Sequence, residues 1–235
     1  MKVRKVMSSI GAGALAGSAL MAGASTASAS PEIPLPICGS QPSVPALPQG
    51  WDPIDGTVPA QYVAGPDGAT GAGSLQLKVT TPAEKADYYH AANVKLSEVG
   101  ALGYRQHTEG AVQASYQLKI LDAKRDDGDT TGFTTLVYEP YLNGEPLGST
   151  NGFVNESNIQ NGKWWSTRPI AGASGQSDSD TLSDIIAQNP DARVTAYGVN
   201  LGRNNAVSTS HVDDVQFGCT TWNFDPNPNI GGSLP

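Results

Sequence analysis

Four residues near the middle of the chain have side chains that could bind a sugar chain. Glu139 and Tyr141 flank a proline at the end of an apolar segment, and Trp164 is followed directly by Trp165. Neighbouring residues of a strand point to opposite sides, so one tryptophan should be a core residue and the other should be exposed. An exposed aromatic ring has an apolar face and can stack on a sugar ring. We therefore predict the ligand-binding residues among Glu139, Tyr141, Trp164 and Trp165.

Catalysis by Glu139 is the alternative interpretation of this residue. Cleavage of a glycosidic bond needs two carboxyl groups at a defined separation, and the sequence places no second acid next to Glu139. The sequence also contains neither the Gly-x-Ser-x-Gly nor the His-Glu-x-x-His motif. It therefore indicates no catalytic residue, and the glycosidase hypothesis requires a second acid brought in by the fold.

Asp213 is a candidate for a structural role. It shares the parity of Val215 and Phe217, so its carboxylate should point into the core. A buried carboxylate needs either hydrogen-bond donors or a cation. The sequence leaves two alternatives open, which are backbone or hydroxyl donors, and a structural calcium ion that also takes oxygen ligands from Asp52 or Asp55.

Alternation of apolar and polar residues predicts strands along most of the chain. They are expected at 61–64, 74–80, 86–90, 99–105, 112–121, 133–139, 163–168, 193–201 and 211–219. One short helix is predicted at 181–188, with Asp180 as its N-cap. Short strands separated by Gly/Pro turns indicate an all-β fold. We predict a jelly-roll-type β-sandwich of two antiparallel sheets with about eight to ten strands.

The N-terminal residues predict export. The segment MKVRK is basic, residues 6–24 are small and apolar, and Ala-Ser-Ala at 27–29 fits a cleavage site. We therefore divide the chain into a signal peptide (1–29), a Pro-rich extended lead-in (30–50), the β-sandwich domain (51–225) and a flexible C-terminal tail (226–235). An exported chain with two cysteines favours a disulfide, here Cys38–Cys219.

The charge balance narrows the set of partners. The chain has 14 basic and 22 acidic residues and a formal net charge of −8. Nucleic acids and anionic membranes bind clustered basic residues, so both are disfavoured as partners. We expect a secreted, extracellular monomer that has no membrane attachment after cleavage of the signal peptide.

Five stretches together carry a resemblance to known proteins. They are GAGSLQL (71–77), LVYEPYLNG (136–144), KWWSTR (163–168), NPDARVTAYGVNLG (189–202) and HVDDVQFG (211–218). The chain resembles secreted bacterial proteins with jelly-roll sandwich domains that lack an assigned activity and are similar in outline to carbohydrate-binding modules. The resemblance implies the fold, and it implies that Asp213 or Asp214 can hold a structural calcium ion. It supplies no catalytic residue.

These observations predict a non-catalytic binding or surface-interaction domain, with an extracellular or cell-wall polysaccharide as its ligand. The alternatives are a glycoside-active enzyme that uses Glu139 with a second carboxylate, and an exported structural protein without a small ligand. A binding domain should carry aromatic and amide side chains across one sheet face. An enzyme should hold two carboxylates in one cleft, and a structural protein should have neither feature.

Overall fold

A computed structural model describes residues 38, 43–47, 49–125, 127, 129–205 and 207–226. The predicted signal peptide lies outside the described residues, as do most of the lead-in and all but the first residue of the C-terminal tail. The described chain forms an all-β sandwich of two seven-stranded sheets with one short α-helix, as the sequence predicts. In the described part of the chain, no helix is long and apolar enough to cross a membrane.

The first sheet is built around one long strand near the C-terminus, β13. Its seven strands are β1 (Val44–Pro45), β3 (Gln61–Ala64), β4 (Gly73–Val79), β6 (Leu102–Gly110), β9 (Val154–Ser157), β13 (Ser208–Phe217) and β14 (Thr220–Asn223). Strand β13 pairs with β6 along one edge and with β4 and then β14 along the other. All pairs in this sheet are antiparallel except that of β1 with β14.

The second sheet is a continuous antiparallel sheet. Its strands, in spatial order, are β11 (Asp180–Thr181), β10 (Lys163–Ser166), β8 (Thr134–Tyr138), β7 (Ser115–Leu121), β12 (Arg193–Leu201), β5 (Ala86–Lys95) and β2 (Trp51–Asp52). The single α-helix, α1 (Leu182–Gln188), follows β11 directly. Strand β7 shows why the sheet has two different faces, because Tyr116, Leu118 and Ile120 point into the core while the residues between them are polar.

Aromatic side chains join the two sheets. The rings of Tyr197 on β12 and Phe217 on β13 are stacked with centroids 4.1 Å apart. Trp51 on β2 meets Phe224, which follows β14, at a centroid distance of 4.9 Å. Strands β12 and β13, which are consecutive along the chain, therefore lie in opposite sheets and face each other across the core.

A disulfide ties the N-terminal segment to the connection between β13 and β14. Cys38 and Cys219 are bonded, their Cα atoms are 5.2 Å apart, and 181 positions separate them in sequence. The predicted disulfide is therefore confirmed. Disulfides of this kind persist in oxidising compartments.

Several details of the predicted elements differ in the structure. The strand predicted at 99–105 begins at Leu102 and continues to Gly110, and the strand predicted at 86–90 continues to Lys95. Asp180 lies in strand β11, and the N-cap of the helix is Thr181, whose hydroxyl accepts a hydrogen bond from the Asp184 backbone N–H. The described residues also contain fourteen strands rather than eight to ten. The additional strands include β1, β2 and β11, which have two residues each and are too short for a period-two pattern to show.

We predict that replacement of both cysteines by serine lowers the free energy of unfolding by about 2–5 kcal/mol, because the crosslink restricts a very long loop of the unfolded chain. The measurement is chemical denaturation of the Cys38→Ser/Cys219→Ser variant beside the wild type with and without a reductant. Reduced wild type should match the variant. An unchanged denaturation midpoint in both cases would contradict the prediction.

Candidate functional site

The outer face of the second sheet carries a row of side chains that crosses five strands. Residues paired from β10 to β5 in this row are Trp165, Val137, Gln117, Gly198 and Tyr89. Because side chains alternate along each strand, all five positions lie on the face that points away from the core. Gln117, in the middle of this row, lies in the floor of a groove.

Gly198 leaves room for the Tyr89 ring to cross strand β12. A Cβ atom at position 198 would lie 2.1 Å from the Tyr88 carbonyl oxygen and 2.8 Å from the Tyr89 ring, so no other residue fits there. The Tyr89 hydroxyl reaches over the glycine and donates a hydrogen bond of 2.5 Å to Oε1 of Gln117. The Lys119 ammonium lies 4.6 Å from the centre of the same ring. The floor is therefore a packed polar layer.

The groove above this floor has a volume of about 570 Å³. Its lining combines amides, aromatic rings and charged side chains. The amides are Gln113, Gln117, Gln176, Asn200 and Asn205, the rings are Phe133, Tyr141 and Trp165, and the charged residues are Asp55, Lys85, Lys119, Glu139, Arg168 and Arg203. Three of the predicted ligand-binding residues, Glu139, Tyr141 and Trp165, therefore meet in one groove together with Asp55.

The two adjacent tryptophans have different environments. Trp164 is fully buried, and its indole N–H donates to the Ile159 carbonyl at 2.9 Å. Trp165 is half-buried and lines the groove, and its indole nitrogen is inaccessible, so the ring carbons form the part that a ligand can reach. Trp164 is thus the core residue of the pair, and its burial removes it from the candidate ligand-binding residues.

A short 3₁₀ turn holds Tyr141 in the lining of the groove. The turn, Pro140–Asn143, follows β8 directly because proline cannot continue the ladder of the sheet. The Asn143 side chain fixes the turn to β10, since its Oδ1 accepts from the Lys163 backbone N–H at 2.7 Å and its Nδ2 donates to the Lys163 carbonyl at 3.1 Å. Tyr141 from this turn and Trp165 from β10 therefore both line the groove.

Glu139 is a carboxyl group in the groove, and it has no charged partner among the described residues. It precedes the 3₁₀ turn and is half-buried. Removal from water raises the pKa of Glu139 from 4.5 to about 8, and no cation or hydrogen-bond donor in the described part of the chain offsets this effect. Near neutral pH, this residue can therefore both donate and accept a proton.

Asp55 is a second carboxyl group in the groove, and its environment is the opposite of that of Glu139. It forms ion pairs with Lys85 at 2.5 Å and with Lys119 at 3.5 Å. A hydrogen bond with Asp87 and the two lysines hold the pKa of Asp55 well below its usual range. Burial, and next the hydrogen bond with Asp55, raise the pKa of Asp87.

Asp213 lies in the first sheet, away from the groove. Its carboxylate accepts three backbone hydrogen bonds, from Thr70 at 2.8 Å, Asp214 at 2.9 Å and Phe224 at 3.1 Å. Burial and the Asp214 charge nevertheless raise the pKa of Asp213 to about 7. The observed contacts correspond to the first of the two alternatives left open by the sequence, satisfaction by backbone donors.

The structure does not bring the two acids of the predicted calcium site together. Asp213 belongs to strand β13 of the first sheet, and Asp55 is paired with Lys119 on β7 of the second sheet and with Lys85, which directly precedes β5. Among the residues that the structure describes, no group of three or more His, Cys, Asp or Glu side chains is arranged to hold a metal ion. The Asp213 carboxylate connects β13 by hydrogen bonds to the turn at Thr70 and to the segment after β14.

Sequence reasoning missed the amides of the groove. Gln117, Lys119 and Asn200 lie on strands that the sequence predicts, and their polar character between buried apolar neighbours marks the outer face. These residues are only 8%, 8% and 3% exposed, so neighbouring residues of the protein cover most of each side chain. The signal in the sequence that could have identified these residues is a polar side chain at alternate positions of a predicted strand.

We predict that Glu139→Gln makes the protein more stable relative to wild type as pH rises. The folded-state pKa lies above the unfolded value, so the contribution of Glu139 to stability is complete below about pH 4.5 and is lost as pH rises towards 8. Glutamine does not titrate, and all other buried acids are common to both proteins. Denaturation midpoints at pH 5 and pH 8.5 measure the difference. A gap between the two proteins that does not widen with pH would contradict the raised pKa.

No protein-family description matches the chain, and a search of curated proteins finds no similar sequence.

Proposed function

We propose that the groove on the outer face of the second sheet binds a saccharide chain. The observation that carries the proposal is the gathering of five amide side chains with Tyr141 and Trp165 in one groove. A band of amides and aromatic rings across one sheet face is the arrangement expected of a binding domain.

The chemistry of this lining suits a polyhydroxylated ligand. An amide offers two donors and an acceptor, so it can serve either role of a hydroxyl group. Trp165 supplies an accessible ring surface at one end, and Tyr141 supplies a second ring with a polar hydroxyl. Binding sites commonly combine apolar surface with a few placed polar groups that set orientation. The groove has both kinds of surface.

The proposal includes an extracellular or cell-wall polysaccharide as the ligand and secretion as the route. The Cys38–Cys219 disulfide supports an oxidising compartment. The basic and apolar N-terminal sequence supports export.

We predict that Trp165→Ala and Tyr141→Ala each weaken saccharide binding by roughly tenfold, the loss expected when an aromatic anchor is truncated. The measurement is a pull-down on insoluble polysaccharides followed by titration with the matching oligosaccharide. The matched control is Phe153→Ala, which removes a partly exposed ring that contacts Arg105 on the first sheet. Trp164→Ala is unsuitable as a probe because Trp164 is a core residue.

Two outcomes would contradict the proposal. If the wild type bound no polysaccharide or oligosaccharide, the binding function would be contradicted. The remaining interpretation would be a structural protein without a small ligand. Binding that Phe153→Ala weakens as much as Trp165→Ala does would move the site away from the groove.

A second function, glycoside hydrolysis, is favoured by one specific observation. Glu139 and Asp55 line the same groove, and their surroundings move their pKa values in opposite directions. Glycosidases use such a pair, in which the protonated acid donates to the leaving oxygen and the ionised carboxylate assists attack at the anomeric carbon. In this hypothesis Glu139 is the acid and Asp55 is the carboxylate.

For this second function, we predict that Glu139→Gln lowers the rate of reducing-end release by about a hundredfold or more while saccharide binding is retained. The control is Glu145→Gln, which removes an exposed carboxylate outside the groove lining. Reducing-end release by the wild type and its loss in Glu139→Gln alone would support catalysis. Absence of release by the wild type from every polysaccharide that it binds would leave binding as the function.

A further inference from the structure

The groove differs in charge from the rest of the chain. The whole chain has 14 basic and 22 acidic residues. The groove lining has four basic residues, Lys85, Lys119, Arg168 and Arg203, and two acidic ones. A cleft lined by one sign of charge concentrates ligands of the opposite sign. Which of these charges remain available to a ligand depends on their ion pairs.

The two lysines are already neutralised within the protein. Lys85 lies 2.5 Å from a carboxylate oxygen of Asp55 and 3.2 Å from one of Asp87, and Lys119 lies 3.5 Å from Asp55. Both lysine side chains are largely covered, with 18% and 10% of their area exposed. This cluster therefore holds the floor together and offers little charge to a ligand.

The two arginines are more available. Arg203 is exposed, and it forms no hydrogen bond or ion pair with the residues that the structure describes. Half of the Arg168 side chain is exposed, its closest carboxylate oxygen on Asp129 is 3.7 Å away, and its guanidinium lies 5.1 Å from the centre of the Phe133 ring. Asp129 is also shared with Arg125 at 3.2 Å. The positive charge that a ligand can use is therefore that of Arg203 and, in part, Arg168.

Glu139 does not cancel this charge. It is the one acid of the lining without a cationic partner among the described residues, and its removal from water favours the neutral form. An uncharged carboxyl group can donate a hydrogen bond to an anion instead of repelling it. The groove therefore presents arginines, amides and a carboxylic acid to its ligand.

We propose that the ligand of this groove is an anionic saccharide, whose carboxylate or sulfate groups are bound by Arg203 and Arg168. This inference rests on the saccharide-binding function proposed above and adds the class of saccharide. A guanidinium forms two parallel hydrogen bonds with a carboxylate or a sulfate, which gives both affinity and orientation. The amides and aromatic rings then contact the hydroxyl groups and faces of the same sugar chain.

The test is calorimetric titration with oligosaccharides of matched length. The probes are oligogalacturonate for carboxylates, heparin-derived oligosaccharides for sulfates, and cello-, xylo- and galacto-oligosaccharides as neutral chains. The proteins are wild type, Arg203→Gln, Arg168→Gln and the control Lys78→Gln, which removes an exposed charge on the first sheet. Melting temperatures of all four proteins show whether each one is folded.

We expect at least one anionic probe to bind more tightly than every neutral one, and its affinity to fall as salt rises from 50 to 500 mM. Arg203→Gln should weaken that binding roughly tenfold or more, the loss of hydrogen bonds to a charged group. Arg168→Gln should weaken it less, because Asp129 already occupies part of that guanidinium. Lys78→Gln should bind like wild type.

Three results would overturn the inference. Neutral probes that bind as tightly as anionic ones would remove the anionic class and leave the saccharide-binding function intact. Tight binding of an anionic probe that neither arginine variant weakens would remove the arginine assignment. Failure of all five probes and of the insoluble polysaccharides would overturn the saccharide-binding function itself.

Discussion

The packing of the two sheets on each other is the constraint on which the rest of the molecule depends. Tyr197 stacks on Phe217 between β12 and β13, and Trp51 meets Phe224 at one side of the core. Once one face of the second sheet is committed to this core, every alternate side chain must point outward. The groove lies on this outward face, where polar side chains such as Gln117, Lys119 and Asn200 line it together with Glu139 and Asp55.

The groove also shows how one fold places carboxyl groups in different states. Asp55 has two lysines and Asp87 as neighbours, and Glu139 has neither a cation nor a donor among the residues that the structure describes. Asp213, in the other sheet, has three backbone donors. Of these three acids, Glu139 is the one that combines a raised pKa with a place in the lining of the groove.

Much of the fold could be predicted from local patterns. The alternation of Leu75, Leu77 and Val79 predicts β4, and two cysteines in a chain with a predicted signal peptide predict the disulfide. The site could be predicted only in part. Because Trp164 and Trp165 are neighbours in a strand, the sequence implies that one of them is buried. Which one is buried depends on which face of β10 packs on the core.

Other parts of the site required tertiary information. Lys119 and Asp55 are far apart in sequence, and Gln117, Gly198 and Tyr89 come into one row only through the register of three strands. That register has a consequence for ligand size. From Trp165 on β10 to Asn200 on β12 the lining spans three strand spacings, or about 14 Å. A chain of linked sugars laid perpendicular to the strands would fill this width, whereas a single monosaccharide would leave most of it empty.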